Sequence, residues 1–251
     1  MTQHLTVLTG ASRGMGLAMA EQLIDAGHDL LCISRTHNDS LGLSAAAKGV
    51  RCEQWPQDLA RADTAAIRLE AWLAARAGEG YTSVTLINNA ALLPRIAPLG
   101  DIPPTEVADA LRIDLEAPML LTGAFLRATG NWQAVRKVLN ISSGSGRRPM
   151  ASQATYSAAK AGIDHFTRCV ALEEAGKPNG AKLCSLAPGV IDTDMQTQLR
   201  GADPKQFADI GYFVDLKEKG VLNTPGEAAA RVLAVLARPD FGANPVADVR
   251  D

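Results

Sequence analysis

The sequence predicts an α/β fold: a single doubly wound domain with a parallel sheet of about seven strands. Three observations predict it. Short apolar runs recur along the chain between longer stretches of helical composition, the alternation expected of β-α-β units. The runs are continuously apolar instead of alternating, so both faces of each strand are buried, which points to a parallel sheet covered by helices. A glycine cluster, Gly10, Gly14 and Gly16, stands directly after the first run and before the first helical stretch.

The elements follow in order. His4 to Leu8 reads as a buried strand feeding a glycine turn at Thr9 and Gly10. Gly16 to Ala26 is helical in composition and is stopped by Gly27. Asp29 to Ser34 is a second strand, and Val50 to Trp55 a weaker third. Ala60 to Ala77 carries Ile67, Leu69, Trp72 and Leu73 at helical spacing. Ser83 to Ile87 is a fourth strand, ending in Asn88 and Asn89. Pro103 and Pro104 open a long helix through about Thr129, which Pro118 is expected to kink. Val135 to Ser142 is a fifth strand, Ser152 to Ala175 a long helix, and Gly180 to Leu186 a sixth strand. Ala187 to Leu222 is polar and irregular, with short helical pieces. Thr224 and Glu227 form a capping box that opens a helix to Ala237, and a last short strand is expected near Pro245 to Val249. No linker, repeat or low-complexity segment interrupts the 251 residues, so 1–251 reads as one domain.

Composition narrows the function classes. Apolar residues make up 47% of the chain, and 25 basic side chains stand against 27 acidic ones. That near-neutral balance argues against nucleic-acid binding as the main activity. No apolar run approaches the ~20 residues of a membrane helix. The N-terminus lacks the basic patch, apolar stretch and small-residue cleavage site of a signal peptide, so a cytoplasmic location is expected. Cys32, Cys52, Cys169 and Cys184 are far apart, form no C-x-x-C, and do not cluster with the four histidines. Metal and disulfide readings are therefore poor, and buried thiols in a reducing compartment are expected.

The chemistry sits in a few local patterns. The turn Thr9, Gly10, Ala11, Ser12, Arg13, Gly14, Met15, Gly16 occupies the first strand-to-helix junction. Glycines there let a backbone approach a pyrophosphate, and the helix N-terminus favours its charge. A carboxylate ending the second strand would bind the ribose 2′-hydroxyl of NAD, but that end reads Ile33, Ser34, Arg35. Arg13 and Arg35 suit a 2′-phosphate, so NADP(H) is favoured; the alternative is that Arg35 is a solvated strand-end charge. Tyr156 and Lys160 stand at i and i+4, on one helix face. A cation there lowers a phenol's pKa from ~10 and lets the pair run acid/base chemistry near neutral pH.

Together these residues resemble the short-chain dehydrogenase/reductase family. The resemblance rests on the glycine turn, on Asn88, Asn89, Ala90 and Ala91, on Ser143 ahead of Tyr156 and Lys160, and on Pro188 and Gly189. It spans essentially the whole chain. It implies a Rossmann-type enzyme that moves hydride between a nicotinamide and a carbonyl or alcohol carbon. Tyr156 is then the general acid, Lys160 its pKa-lowering partner and the holder of the nicotinamide ribose, and Ser143 a donor to the substrate oxygen. Ser143 is preferred to Ser142 on the family's spacing. The resemblance places Asn88, Asn89 and Ala90 along the cofactor, Asp58 and Leu59 at the adenine, and Pro188, Gly189, Val190 and Thr193 around the nicotinamide. Ala91 stands where the family commonly has Gly. Asp114 stands where it usually has the Asn that supports a proton-relaying water, and is counted with the catalytic residues.

The tail is similar to the sepiapterin reductase subfamily, through Ala171 to Glu174, Leu186 to Gln196, Leu216 to Leu222 and the stretch from Asp240 to Asp251. That subfamily includes pterin side-chain reductases and relatives acting on vicinal diketones such as benzil. By position Asp248 matches its substrate-anchoring carboxylate; a tail charge in water is the alternative. Met150 and Gln153 fall where the substrate wall is expected, and neither is aromatic. About 190–222 is expected to form a lid, with Tyr212 and Phe213 either closing on substrate or packing to the core. Arg147 and Arg148 either attract an anionic substrate or are solvated loop charges. The expectation is a reductase of a small ketone, diketone or pterin side chain, a homodimer or homotetramer joined through long helices. The alternatives are a general short-chain alcohol dehydrogenase, or an NADP-binding regulator whose catalysis Asp114 has altered.

Overall fold

Seven parallel strands form one sheet in the order β3-β2-β1-β4-β5-β6-β7 in the computed structural model, which describes residues 3–251. The strands are β1 (His4–Thr9), β2 (Asp29–Ser34), β3 (Cys52–Pro56), β4 (Ser83–Asn88), β5 (Val135–Ile141), β6 (Lys182–Ala187) and β7 (Val246–Asp248). β1 is an interior strand: Val7 lies in register with Leu31 on one side and Leu86 on the other. The helices are α1 (Gly14–Asp25), α2 (Asp39–Lys48), α3 (Ala62–Ala74), α4 (Pro104–Leu111), α5 (Ala117–Thr129), α6 (Ala154–Ala175), α7 (Asp194–Arg200), α8 (Ile210–Glu218) and α9 (Pro225–Ala237).

Strand side chains alternate between two cores, which is why the runs are apolar throughout. Leu5, Val7, Leu31 and Leu86 pack with Leu69, Leu121, Phe125 and Val170 from α3, α5 and α6. Leu8, Leu30, Ile87 and Leu139 pack with Met19, Leu23, Leu41 and Val232 from α1, α2 and α9. Each fully buried Leu or Phe of this kind contributes about 1.5–3 kcal/mol. A third cluster, Leu93, Ile96, Leu199, Phe207 and Phe213, packs on Tyr156 under α7 and α8.

Several elements differ from the sequence reading. α1 starts at Gly14, two residues early, because the glycine turn closes into the helix without a spacer. α2 was not expected at all. The expected helix from Pro103 to Thr129 is two helices joined by a π turn at Arg112–Glu116. Pro118 has no N–H to give the carbonyl of Asp114 four residues back, so regular α-helical bonding stops there. The irregularity thus falls one turn before the proline, and Pro118 itself lies in the first turn of α5. β6 starts at Lys182, because Gly180 approaches so close to Glu174 that a Cβ there would lie 1.9 Å from its carbonyl oxygen. The capping box at Thr224 and Glu227 forms as expected, with both reciprocal hydrogen bonds present.

Candidate active site

The C-terminal ends of β1 and β4 diverge to opposite neighbours, and a crevice opens at that switch point. It is a cleft of about 1060 Å³, bounded by the glycine turn, the ends of β2, β5 and β6, the start of α6, and α7 and α8. Gly10 takes φ +71°, and a Cβ on it would stand 2.9 Å from the Cα of Ala90. A Cβ on Gly16 would lie 2.0 Å from the Gly10 carbonyl oxygen. Only glycine lets these backbones meet. The turn is stitched to its surroundings: Ser34 Oγ accepts the Ala11 N–H at 2.8 Å, and Thr9 Oγ1 accepts the N–H groups of Asn89 and Ala90 at 2.9 and 3.0 Å. No acidic residue lies in the first turn of α1, so its positive N-terminal end faces the cleft unneutralised.

On the opposite wall Tyr156 and Lys160 project from α6, both buried. Lys160 Nζ donates to the Ile141 carbonyl at 3.1 Å and stands 5.4 Å from the centre of the Tyr156 ring. Ser143 opens a short 3-10 turn just beyond β5; its hydroxyl accepts the Ser145 N–H at 3.2 Å and hydrogen-bonds the phenol. The phenol's pKa departs from the expectation of a lowered value. Burial pushes it above the ordinary tyrosine value, and the Asp114 carboxylate adds to that; Lys160 and the Ser143 hydrogen bond lower it but do not outweigh burial. The phenol therefore keeps its proton near neutral pH, the state a general acid requires.

The chain matches the family model described as short chain dehydrogenase over residues 4–204. The chain belongs to the short-chain dehydrogenase family. It is 33% identical over 235 residues to the benzil reductase ((S)-benzoin forming) of Bacillus cereus, covering 94% of each chain. It is 31% identical over 246 residues to the sepiapterin reductase of Xenopus tropicalis, covering 92% of this chain and 90% of that one. Among solved structures, a 3-oxoacyl-[acyl-carrier protein] reductase from Brucella melitensis in complex with NAD superposes with a TM-score of 0.81 at 21% identity, covering 99% of this chain and 96% of that one. A metagenomic short-chain oxidoreductase in complex with NADP gives 0.71 at 24% identity, covering 98% and 94%. These likenesses show the Rossmann-type fold, and family membership makes the chain an oxidoreductase that works with a nicotinamide cofactor on a small molecule.

Most residues expected in a short-chain dehydrogenase site do line this cleft. Gly10, Ser12, Arg13, Gly14, Met15 and Gly16 border one end with Ser34, Arg35, Asp58 and Leu59. Asn89, Ala90, Pro188, Gly189, Val190 and Thr193 border the middle, and Ser143, Met150, Tyr156, Lys160 and Asp248 the other end. The fit to a dinucleotide is physical: a glycine cradle that any Cβ would fill, a helix N-terminus, and a lysine across the cleft.

Two expected residues are not in the wall. Asn88 is buried behind it, donating to Asn140 Oδ1 at 2.8 Å and Thr122 Oγ1 at 3.3 Å, so it braces β4 against β5 and α5 and does not line the cofactor. Asp114 is also set back in the π turn, with Oδ1 accepting the Leu92 N–H at 2.7 Å, and does not touch the cleft as a catalytic residue must. Other residues reach the cleft already engaged. Arg13 pairs with Asp194 at 2.7 Å, and Asp58 caps its own turn through the Ala60 N–H at 3.0 Å. Arg147 is held by Asp164 at 3.3 Å and by the Ala247 carbonyl at 2.7 Å, while Arg148 lies over Tyr212, 5.8 Å from the ring centre. Tyr212 and Phe213 both border the cleft, Phe213 buried and Tyr212 exposed. Ser142, the rival of Ser143, also borders the cleft but is buried with no partner for its hydroxyl. Cys169 is exposed and Cys52 half-buried, against the expectation of buried thiols, which Cys32 and Cys184 meet. Arg250 is the residue the sequence reading missed: it clamps Asp248, and only the closeness of two opposite charges at the chain end signals it.

Proposed function

We propose that this chain is an NADP-dependent carbonyl reductase that adds a hydride from NADPH to the carbonyl carbon of a ketone, diketone or pterin side chain. The observation that carries the reading is the buried, protonated Tyr156 phenol facing the cleft between Lys160 and Ser143. The similarity to benzil and sepiapterin reductases supports a carbonyl substrate. Arg35 supports NADP: it is exposed, borders the cleft, and follows a β2 whose end, Ile33-Ser34, carries no carboxylate to bind a ribose 2′-hydroxyl.

The nicotinamide cofactor supplies the hydride. Ser143 and Tyr156 place two donors where negative charge develops on the substrate oxygen. Tyr156 gives that oxygen its phenolic proton, and Lys160 stabilises the phenolate that remains until a proton returns from solvent. The glycine turn and the α1 N-terminus would hold the pyrophosphate, and Arg35 would meet the 2′-phosphate. The segment 190–222, with α7 and α8, serves as the lid of the single domain 1–251. A cytoplasmic location and a homodimer or homotetramer complete the reading.

The test is a panel of vicinal diketones, pterins and secondary alcohols, followed by NADPH or NADP absorbance. Tyr156→Phe is expected to bind NADPH as the wild type does, by fluorescence titration, and to lose roughly 10²–10⁴ in carbonyl reduction. Fast alcohol oxidation with no carbonyl turnover would overturn the reading in favour of a general alcohol dehydrogenase. Arg35→Asp is expected to weaken NADPH and favour NADH; equal wild-type affinity for the two cofactors would refute the NADP assignment.

A further inference from the structure

The charges that border the cleft do not balance. Every bordering carboxylate is already engaged. Asp194 pairs with Arg13, Asp248 with Arg250, Asp109 with Arg112 and Asp192 with Lys217, while Asp58 accepts the Ala60 N–H. Among the remaining cations, Arg147 is held by Asp164, and Lys160 is buried beside Tyr156. Arg35 lies at the glycine-turn end, where the 2′-phosphate is proposed. Arg148 is left over. It is exposed, borders the cleft five residues after Ser143, and makes no ion pair among the described residues.

Its position is set by the loop that leaves Ser143. The Gly144 carbonyl accepts the N–H groups of Arg147 and Arg148 at 3.1 and 2.9 Å, which folds the loop back on itself. Gly146 lies against α6: a Cβ there would stand 2.8 Å from the carbonyl carbon of Lys160. The loop is thereby pinned to the helix turn that carries Lys160, so Arg148 keeps a fixed relation to Ser143 and Tyr156. Tyr212 of α8 lies under the guanidinium, its ring centre 5.8 Å from the central carbon. A ring face steadies a guanidinium without using its N–H groups, so those donors stay available. Leu93, Leu199 and Phe213 border the same cleft and form one apolar cluster with Tyr156.

We propose that Arg148 is a specificity-determining residue that holds a carboxylate of the substrate, so that the preferred substrate is a ketone or diketone joined through an apolar spacer to a carboxylate. The proposal rests on the reading of the cleft as a carbonyl-reductase site and names the substrate class within it. The reacting oxygen meets Ser143 and Tyr156, the spacer meets Leu93, Leu199 and Phe213, and the carboxylate meets Arg148. One unmatched positive charge calls for one negative charge, and the planar guanidinium fits a carboxylate through two parallel N–H bonds. A phosphate monoester carries closer to two charges at neutral pH and would be only partly matched. In the free protein water solvates Arg148. A neutral ligand that covers it leaves the charge unpaired, whereas a carboxylate satisfies it, and that difference discriminates between the two.

4-Carboxybenzil and its methyl ester share one diketone and differ by one charge. The wild type is expected to favour the acid over the ester in kcat/KM by about ten-fold, mainly through KM. Arg148→Ala is expected to bring that ratio near one, and Arg148→Glu to invert it. Arg148→Lys is expected to keep part of it, because the charge stays while the two-donor fork is lost. Added salt is expected to raise KM for the acid more than for the ester. A wild-type ratio near one overturns the proposal, as does a ratio that Arg148→Glu leaves in place. Calorimetric titration with the same two compounds reads the site without turnover. If neither compound is reduced, the reductase reading fails alone: tighter binding of the acid to the wild type, lost in Arg148→Glu, still supports the carboxylate site, and equal binding of acid and ester overturns it.

Discussion

Asp248 shows how one neighbour changes what a residue is free to do. Its two oxygens take the Arg250 Nε and Nη2 at 2.7 and 2.6 Å, and the Arg250 backbone N–H lies 3.1 Å from the first. The Arg250 guanidinium, against the opposing effect of burial, holds the carboxyl below its usual range. With three of its roughly four acceptor sites taken, and each oxygen already bound to the guanidinium, this carboxylate has no free pair of oxygens for the two-donor, guanidine-like edge of a pterin. Arg250→Ala is therefore expected to lower KM for pterin carbonyls by several-fold and leave KM for an uncharged diketone unchanged. Steady-state kinetics on the two substrates checks it, and equal changes in both would refute it. At this scale the sequence was most informative where function depends on local spacing. Tyr156 and Lys160 share a helix face by arithmetic, and the glycine turn is contiguous. It was less informative for Asn88 and Asn89, adjacent residues at a strand end that point to opposite sides, one to the core and one to the cleft. The Asp248–Arg250 clamp depends on the conformation of the last residues, which no periodicity encodes.

Among the elements, α6 carries Tyr156 and Lys160 near its start and is anchored at its far end. Glu174 is buried beside the buried Arg136 of β5, with their ion pair at 3.0 Å, and it also accepts the Ala181 N–H at 2.9 Å and meets Lys177. Burial alone would raise the Glu174 carboxyl, but Lys177, the Ala181 N–H and Arg136 outweigh it and hold the pKa below the ordinary value. A lowered carboxyl contributes stability above the ordinary carboxylate range, and that stability is lost as pH falls through and below it. Glu174→Gln leaves Arg136 buried without its counter-charge, which costs about 3–5 kcal/mol at neutral pH. Urea unfolding at pH 7 is expected to show this loss, and the gap to wild type is expected to narrow in acid as the wild-type carboxyl protonates. A gap that is small at pH 7, or that widens in acid, would show that the anchor lies elsewhere. The strands and most helices were readable because each has an apolar face against one of the two cores. α2 was not, because Leu41 and Ala45 are its only buried residues and Gly42 interrupts its pattern. The π turn was half-readable: Pro118 announces a break, but the proline withholds its hydrogen bond from the preceding turn, so the break falls there.

Over the whole molecule, the sheet brings residues distant in sequence to one edge, and α7 and α8 border the cleft there. The Arg13–Asp194 pair joins the glycine turn to the start of α7, while Phe207 and Phe213 pack in one cluster with Tyr156. Such assembly follows from the topology, since ligands of doubly wound sheets bind beyond the carboxyl ends of the strands. What joins one copy to another is a different matter, because an apolar helix face looks the same in sequence whether it meets a core or a partner. In the structure, α4, the π turn and α5 leave a shallow apolar groove lined by Ala108, Leu111, Leu115, Met119 and Leu120. Leu111 is 36% exposed and Met119 42%, while Phe125 on the same helix is fully buried in the core. The groove is flanked by Arg112 and Glu116, one charge of each sign, as a surface that pairs with its own copy requires. The homo-oligomer proposed above is therefore expected to form through this face. A charge placed at its centre has to be desolvated to keep the contact, whereas in the monomer it stays in water. Met119→Glu is expected to shift the wild-type oligomer to a smaller species at micromolar concentration, measured by light scattering after size-exclusion, with the monomer fold intact by circular dichroism. A variant that elutes and scatters as the wild type does would move the interface to another face of the molecule.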